Sequence, residues 1–139
     1  AIAMLTYRHP IDLATKQVDS VNKVDDYRAA SYLRYQGQKL AKRFNALSYW
    51  TLSKTMDSHD LGRNRGGLEE ALSKIEANVL AIGVDSDLLF LPEESQYISQ
   101  HVKKGIYKEI TSTAGHDAFL IEFEQLSYIL KSFYLQNKN

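Results

Sequence analysis

The spacing of apolar residues changes partway along this chain. From about Tyr7 to Arg65 they recur at helical spacing, and no stretch reads convincingly as a strand. In "YRAASYLRYQGQKLAKRFNALSYWTLSKTMDSHDLG", Tyr32, Leu33, Leu40 and Phe44 make one stripe. Leu47, Trp50 and Met56 continue it beyond Asn45, whose side chain can cap a second helix. Gly37 falls inside the first helix, where it costs about 1 kcal/mol relative to Ala, which points to close packing at that position. Gly62, Gly66 and Gly67 mark a flexible connection.

From Leu68 the pattern is different. "GLEEALSKIEA" predicts a short amphipathic helix with Leu68, Leu72 and Ile75 on one side. "NVLAIGV" is a continuous apolar run ending in "DSD", as a strand buried on both faces would be. "PEESQYISQHVKK" opens with Pro92 and two carboxylates, a favourable helix start because Pro lacks the unpartnered N–H and acids suit the dipole. "GIYKEITS" predicts a second strand. "AFLIEFEQLSYILKSFYL" predicts a final helix burying Phe119, Leu120, Phe123, Leu126, Leu130 and Phe133. Helix, strand, helix, strand, helix is the order of parallel strands joined by a crossover. The chain thus divides into a helical region, 1–66, and an α/β region, 67–139. Its first residues, "AIAMLTYRH", read as the inside of an apolar helix without a cap or an initiator Met. The expectation is a piece of a larger protein.

Composition removes several function classes. A length of 139 residues suits one ordinary domain. Lys plus Arg equals Asp plus Glu, 17 each, whereas a nucleic-acid binder carries a basic excess, so no nucleic-acid partner is expected. "GRNRGG" around Arg63 and Arg65 occurs once and reads as a polar turn. Without Cys there is no disulfide framework and no thiolate nucleophile, which suits a cytoplasmic setting. No apolar run approaches the ~20 residues that span a bilayer, and no signal peptide is visible, so no membrane partner is expected. Asp57, His59 and Asp60 lie close together but lack a further ligand at a metal-site spacing, so no metal is assigned. The tyrosines Tyr27, Tyr32, Tyr35 and Tyr49 read as helix packing, and His9 and His101 as surface residues without a task.

In open α/β sheets the working residues gather beyond the carboxyl ends of the strands. Asp85 and Asp87 follow the first strand here, and His116 and Asp117 follow the second. Adjacent strands lie about 5 Å apart, so loops at one end can bring an Asp to a His. A carboxylate on one imidazole nitrogen fixes the tautomer, leaving the other nitrogen to take a proton from a hydroxyl. Asp then His, each after a strand, is the second half of the α/β-hydrolase order Ser, Asp, His. On the residues alone, a His before a helix is equally a capping or solvent-exposed residue.

Longer blocks are more specific. "IAMLTYR", "SYLRYQGQKLAKRFNALSYWTLSKTMDSHDLGRNRGG", "VLAIGVDSDLLF" and "GHDAFLIE" closely resemble the C-terminal portion of the homoserine O-acetyltransferases, acyl-CoA-dependent enzymes of the α/β-hydrolase superfamily. The resemblance covers almost the whole chain, except a variable stretch between Ile11 and Ala29. It implies an α/β fold: the C-terminal part of an α/β-hydrolase, two parallel strands with flanking helices, plus a helical lid. Asp87 matches the acid of the catalytic triad, with Asp85 a loop-structuring neighbour, and His116 matches the general base. Asp117 matches a residue expected to bind the amino group of homoserine, and Tyr7 a tyrosine lining the substrate pocket. The helical zone looks like the family's lid, which covers an acyl tunnel and supplies a homodimer contact. L-homoserine and acetyl-CoA are the implied substrates, in methionine biosynthesis, with acetyl-CoA a co-substrate and no cofactor.

The family nucleophile, a Ser between glycines on a sharp turn, has no match here. Ser86 and Ser112 lack the flanking glycines. The oxyanion-hole donors, and an arginine expected just before Ala1 to clamp the substrate carboxylate, belong to a missing N-terminal half. The chain alone is therefore expected to be inactive, and its unpaired sheet edge to seek another copy or that half. Two other readings stay open. One is a related succinyl- or serine-directed acyltransferase, or a plain hydrolase. The other is a non-enzymatic helical module in which both loops are inert.

Overall fold

The structure is a computed structural model describing residues 2–137. Residue 1 and residues 138–139, the outer ends of the two expected regions, lie outside the described residues. Helices α1 (Ala3–Thr6), α2 (Pro10–Lys16), α3 (Arg28–Arg43) and α4 (Ala46–Asp57) precede α5 (Leu68–Ser73). Strand β1 (Val79–Val84), helix α6 (Pro92–His101) and strand β2 (Gly105–Ile110) follow. A 3-10 helix (Gly115–Leu120) and α7 (Phe123–Gln136) complete the order.

β1 and β2 pair in parallel, Val79 opposite Gly105 through Val84 opposite Ile110, with α6 as the crossover. This follows from the apolar run of β1 and from Pro92, which occupies the first turn of α6 with Glu93 and Glu94 beside it. Val84, Ile110, Ala114, Ala118 and Ile129 form the buried cluster, with Leu80, Ile82 and Leu126 packed against it. Ile110 is fully buried, and removing such a side chain from water is worth about 2–3 kcal/mol. The cluster includes the last residue of each strand and the loop that follows β2, so the core braces the end of the sheet from which both loops emerge.

Gly83 gives the sheet room on its α6 face. A Cβ there would lie 2.7 Å from the Tyr107 hydroxyl and 3.2 Å from the Cα of Pro92. The Tyr107 ring therefore packs over the gap in β1, and its hydroxyl donates to Glu109 Oε2 at 2.8 Å.

The final helix differs from the predicted one. The chain first turns through the 3-10 helix, and α7 begins only at Phe123. This rotates the buried stripe: Ile129 is the buried residue of α7, with Leu126 and Phe133 half-buried. Phe119, Leu120, Phe123 and Leu130, expected inside, are exposed. In α5, Leu72 is buried as predicted while Leu68 is exposed.

The α3–α4 stripe is also less buried than its spacing implies. Asn45 caps α4 by accepting from the Ser48 N–H at 2.7 Å, as expected. Leu47, Trp50 and Met56 are nevertheless exposed, because no layer among the described residues covers that side of α4. Gly37, expected at a close contact, lines a groove of about 1040 Å³ with Leu40, Phe44, Tyr49 and Trp50. Tyr27, Tyr35 and Tyr49 are all exposed.

Burial, reinforced by the bond to the Glu109 carboxylate, raises the Tyr107 hydroxyl from 10.0 to about 12. Because the folded value lies above the unfolded one, this contribution is fully present below pH 10 and is lost as pH rises through about 12. Tyr107→Phe should flatten the alkaline limb of a stability-versus-pH curve, measured by denaturant midpoint. An unchanged limb would show that Tyr107 does not link folding to proton binding.

Candidate functional site

Three consecutive residues after β1 each bond the loop after β2. Asp85 Oδ1 accepts from the Ser112 N–H at 3.0 Å. Ser86 Oγ accepts from the Gly115 N–H at 3.0 Å. Asp87 Oδ2 meets His116 Nδ1 at 2.8 Å. Asp85 is thus the loop-structuring residue the sequence implied, and its own N–H extends the sheet ladder to Ile110 O at 3.1 Å.

Asp87 is only 6% exposed, and its two oxygens have separate partners. Oδ1 accepts from the backbone N–H groups of Leu89 at 2.8 Å and Phe90 at 3.1 Å. Oδ2 is left for the imidazole. With two backbone N–H groups on Oδ1, the Asp87 carboxylate faces the ring as a hydrogen-bond acceptor, which makes Nδ1 of His116 the donor of that bond. Nε2 is then the basic nitrogen, and it makes no hydrogen bond among the described residues. Aromatic rings fix the plane of the imidazole: Phe90 at 5.0 Å, Tyr7 at 5.6 Å and Phe119 at 6.0 Å between centroids. Asp87, His116, Phe90 and Phe119 line a cavity of about 420 Å³ that runs back to Ile110 and Ile98.

The glycine before His116 sets the loop's position. Gly115 has φ +68°, and a Cβ on it would lie 2.7 Å from His9 N and 3.2 Å from Tyr7 O. Only a residue without a side chain allows the His116 loop to seat against the Tyr7–His9 backbone. There the Asp117 N–H donates to Tyr7 O at 3.2 Å, and Asp117 Oδ2 pairs with Arg8 Nε at 3.1 Å. All four expected residues, Tyr7, Asp87, His116 and Asp117, therefore gather at one end of the sheet.

Several contributors were not anticipated. Arg8 partners Asp117, Ser86 clips the two loops together, and Gly115 makes the close approach. A readable signal existed for Arg8: Arg8, Asp12 and Lys16 recur every four residues with alternating charge. His9 and His101 also have tasks, contrary to expectation. His9 Nδ1 caps α2 by accepting from the Ile11 N–H at 3.3 Å, because Pro10 leaves that donor the first one needing a partner. His101 stacks on Tyr97 at 3.9 Å and its Nδ1 lies 2.8 Å from Tyr97 O.

Neither serine near the imidazole bonds to it. Ser112 Oγ donates to Glu122 Oε1 at 2.7 Å, and Ser86 Oγ accepts from Gly115. At "MDSHDLGRNRGG", Asp60 Oδ1 accepts from the Gly62 N–H at 2.9 Å, which makes the polar turn. No group of three metal-ligating side chains occurs among the described residues, and no helix among them is long and apolar enough to cross a membrane.

No family model matches the chain. The chain is 65% identical over 137 residues to a homoserine O-acetyltransferase of Cyclobacterium marinum, spanning 99% of this chain and 39% of that protein. It is 42% identical over 133 residues to the homoserine O-acetyltransferase of Thermus thermophilus and 38% over 145 residues to that of Corynebacterium glutamicum. The crystal structure of homoserine O-acetyltransferase from Bacillus anthracis superposes with a TM-score of 0.81 at 22% identity, over 99% of this chain and 39% of that one. The fold is therefore that of part of an α/β-hydrolase. By sequence the chain is a relative of the homoserine O-acetyltransferases, and it spans about two-fifths of the length of those it matches.

Gly115→Ala should destabilise a protein containing this chain by about 2 kcal/mol or more, since it adds strain at positive φ to a backbone clash. Ser86→Ala, which removes one bond from a half-buried hydroxyl, should cost only about 1 kcal/mol. Denaturant unfolding compares the two, and equal effects would contradict the role given to Gly115.

Proposed function

We propose that this chain is the base-bearing portion of a homoserine O-acetyltransferase. The observation that carries the reading is the Asp87–His116 pair, oriented with Nε2 unoccupied by any described group, in a chain 65% identical to such an enzyme. In the reaction, Nε2 takes the proton of a serine hydroxyl as its oxygen attacks the thioester of acetyl-CoA. Asp87 stabilises the imidazolium through Nδ1. His116 returns that proton to the departing thiolate, which leaves as free CoA with the acetyl group on the serine. Nε2 then takes the proton of the homoserine hydroxyl as it attacks the acyl-serine, and gives it back to the serine on release of O-acetylhomoserine. The serine comes from outside this chain, since Ser86 and Ser112 are committed elsewhere and lack the glycines of a nucleophile turn.

In the same reading Tyr7 lines the acceptor pocket and Asp117 receives the α-ammonium as a charge-assisted partner. Region 1–66 is read as a lid and homodimer surface, supported by the exposed apolar side chains of α4 and the groove beside them. A cytoplasmic setting and a place in methionine biosynthesis belong to this reading and rest on the family resemblance. No cofactor is invoked.

The test uses the full-length protein with L-homoserine and acetyl-CoA, reading free thiol. His116→Ala should abolish turnover, and Asp87→Asn should lower kcat by about 10⁴-fold through the wrong tautomer. A fully active His116→Ala enzyme would overturn the reading. Replacing acetyl-CoA by succinyl-CoA should remove most of the rate, and the reverse preference would make the enzyme a succinyltransferase.

A further inference from the structure

Asp117 is the last member of a line of alternating charges. Lys16 Nζ lies 2.8 Å from Asp12 Oδ1, Arg8 Nη1 lies 3.3 Å from Asp12 Oδ2, and Arg8 Nε lies 3.1 Å from Asp117 Oδ2. Asp12 is buried, 9% exposed, although it lies on the short helix α2. A buried carboxylate in such a place needs its cations, and the guanidinium that satisfies it is then held from both ends. Arg8 and Asp117 side chains are 23% and 22% exposed, so the pair is shielded more than a surface ion pair, whose geometry is loose and whose worth is small.

We propose that Arg8 is a positioning residue for the acceptor: it fixes the rotation of the Asp117 carboxylate so that Oδ1 takes the α-ammonium of a hydroxy amino acid. The inference rests on the reading of Asp117 given above. The Arg8 guanidinium meets the carboxylate as an ion pair at Oδ2, 3.1 Å from Nε, and no hydrogen bond to Oδ1 occurs among the described residues. The Asp117 main chain is fixed by its bond to Tyr7 O, and the next residue back is His116. An ammonium on Oδ1 would extend the alternation of Lys16, Asp12, Arg8 and Asp117 by one more cation. The four protein charges sum to zero, so the site does not gather cations at large; it selects one by geometry. A lysine at position 8 would keep the charge and lose the planar fork that reaches both carboxylates at once.

The experiment compares full-length wild type, Arg8→Lys, Arg8→Ala and Asp117→Asn. Acceptors are L-homoserine and 4-hydroxybutyrate, which keeps the hydroxyl and carboxylate and lacks the ammonium. Arg8→Ala should raise the KM for homoserine by about tenfold or more, with a much smaller effect on thiol release from acetyl-CoA without acceptor. Arg8→Lys should fall between, and if the alanine variant does not fold, Arg8→Lys alone carries the comparison. Rates with 4-hydroxybutyrate should be nearly the same in wild type and the Arg8 variants. Equal losses with both acceptors and in the acceptor-free reaction would show a structural clip and overturn the proposal. If Asp117→Asn raises the homoserine KM and neither Arg8 variant does, the inference about Arg8 fails alone. If Asp117→Asn leaves that KM unchanged, the reading of Asp117 fails as well.

Discussion

The parallel pairing of β1 with β2 is the constraint on which the site depends. It sends the two following loops out of the same end of the sheet, and residues 85–87 of one then bond residues 112, 115 and 116 of the other. Only the third of these bonds involves an imidazole. The first two fix the spacing of the loops, so the Asp87–His116 distance is set by the backbone and need not be found by two free side chains. That removes the entropy a surface pair must lose to form. The buried cluster under the strand ends, centred on Ile110, keeps the platform rigid.

The second support comes from far away in the chain. Tyr7, Arg8 and His9 meet the loop after β2 through backbone contacts that the absent side chain of Gly115 permits. One segment thereby contributes a ring against His116, a carbonyl for the Asp117 N–H and a guanidinium for its carboxylate. The burial of Asp12 behind Arg8 gives this segment an electrostatic reason to hold its place. The proposed base and the proposed ammonium ligand are adjacent residues, yet each is oriented by a different part of the fold: Asp87 holds His116, and Arg8 holds Asp117.

Much of this was legible in the sequence where local chemistry is decisive. Pro92 with two acids marked the start of α6, Asn45 marked the start of α4, and the uninterrupted run "VLAIGV" marked a strand covered on both sides. The Asp loop and the His loop were found because each follows a strand, and a parallel sheet puts such loops at one end. Burial along the helices is less legible in a sequence. Periodicity says which residues share a face and not whether another layer covers it, so the stripe of α4 stands exposed. At α7 the error was one of phase. The 3-10 turn at "GHDAFL" delays the helix to Phe123, and the buried position shifts to Ile129.

Residue type and short-range spacing were enough for the order of elements from α5 to β2, for the choice of Asp87 and His116 and for the family resemblance. Only the tertiary structure decided how the pair is held. The hydroxyl of Ser86, the missing Cβ of Gly115 and the guanidinium of Arg8 act on groups up to about a hundred positions distant in the chain, as 8 and 117 are. Nothing local distinguishes them from an ordinary serine, glycine and arginine. Their roles follow from close packing and hydrogen-bond geometry between segments, which exist only once the chain has folded.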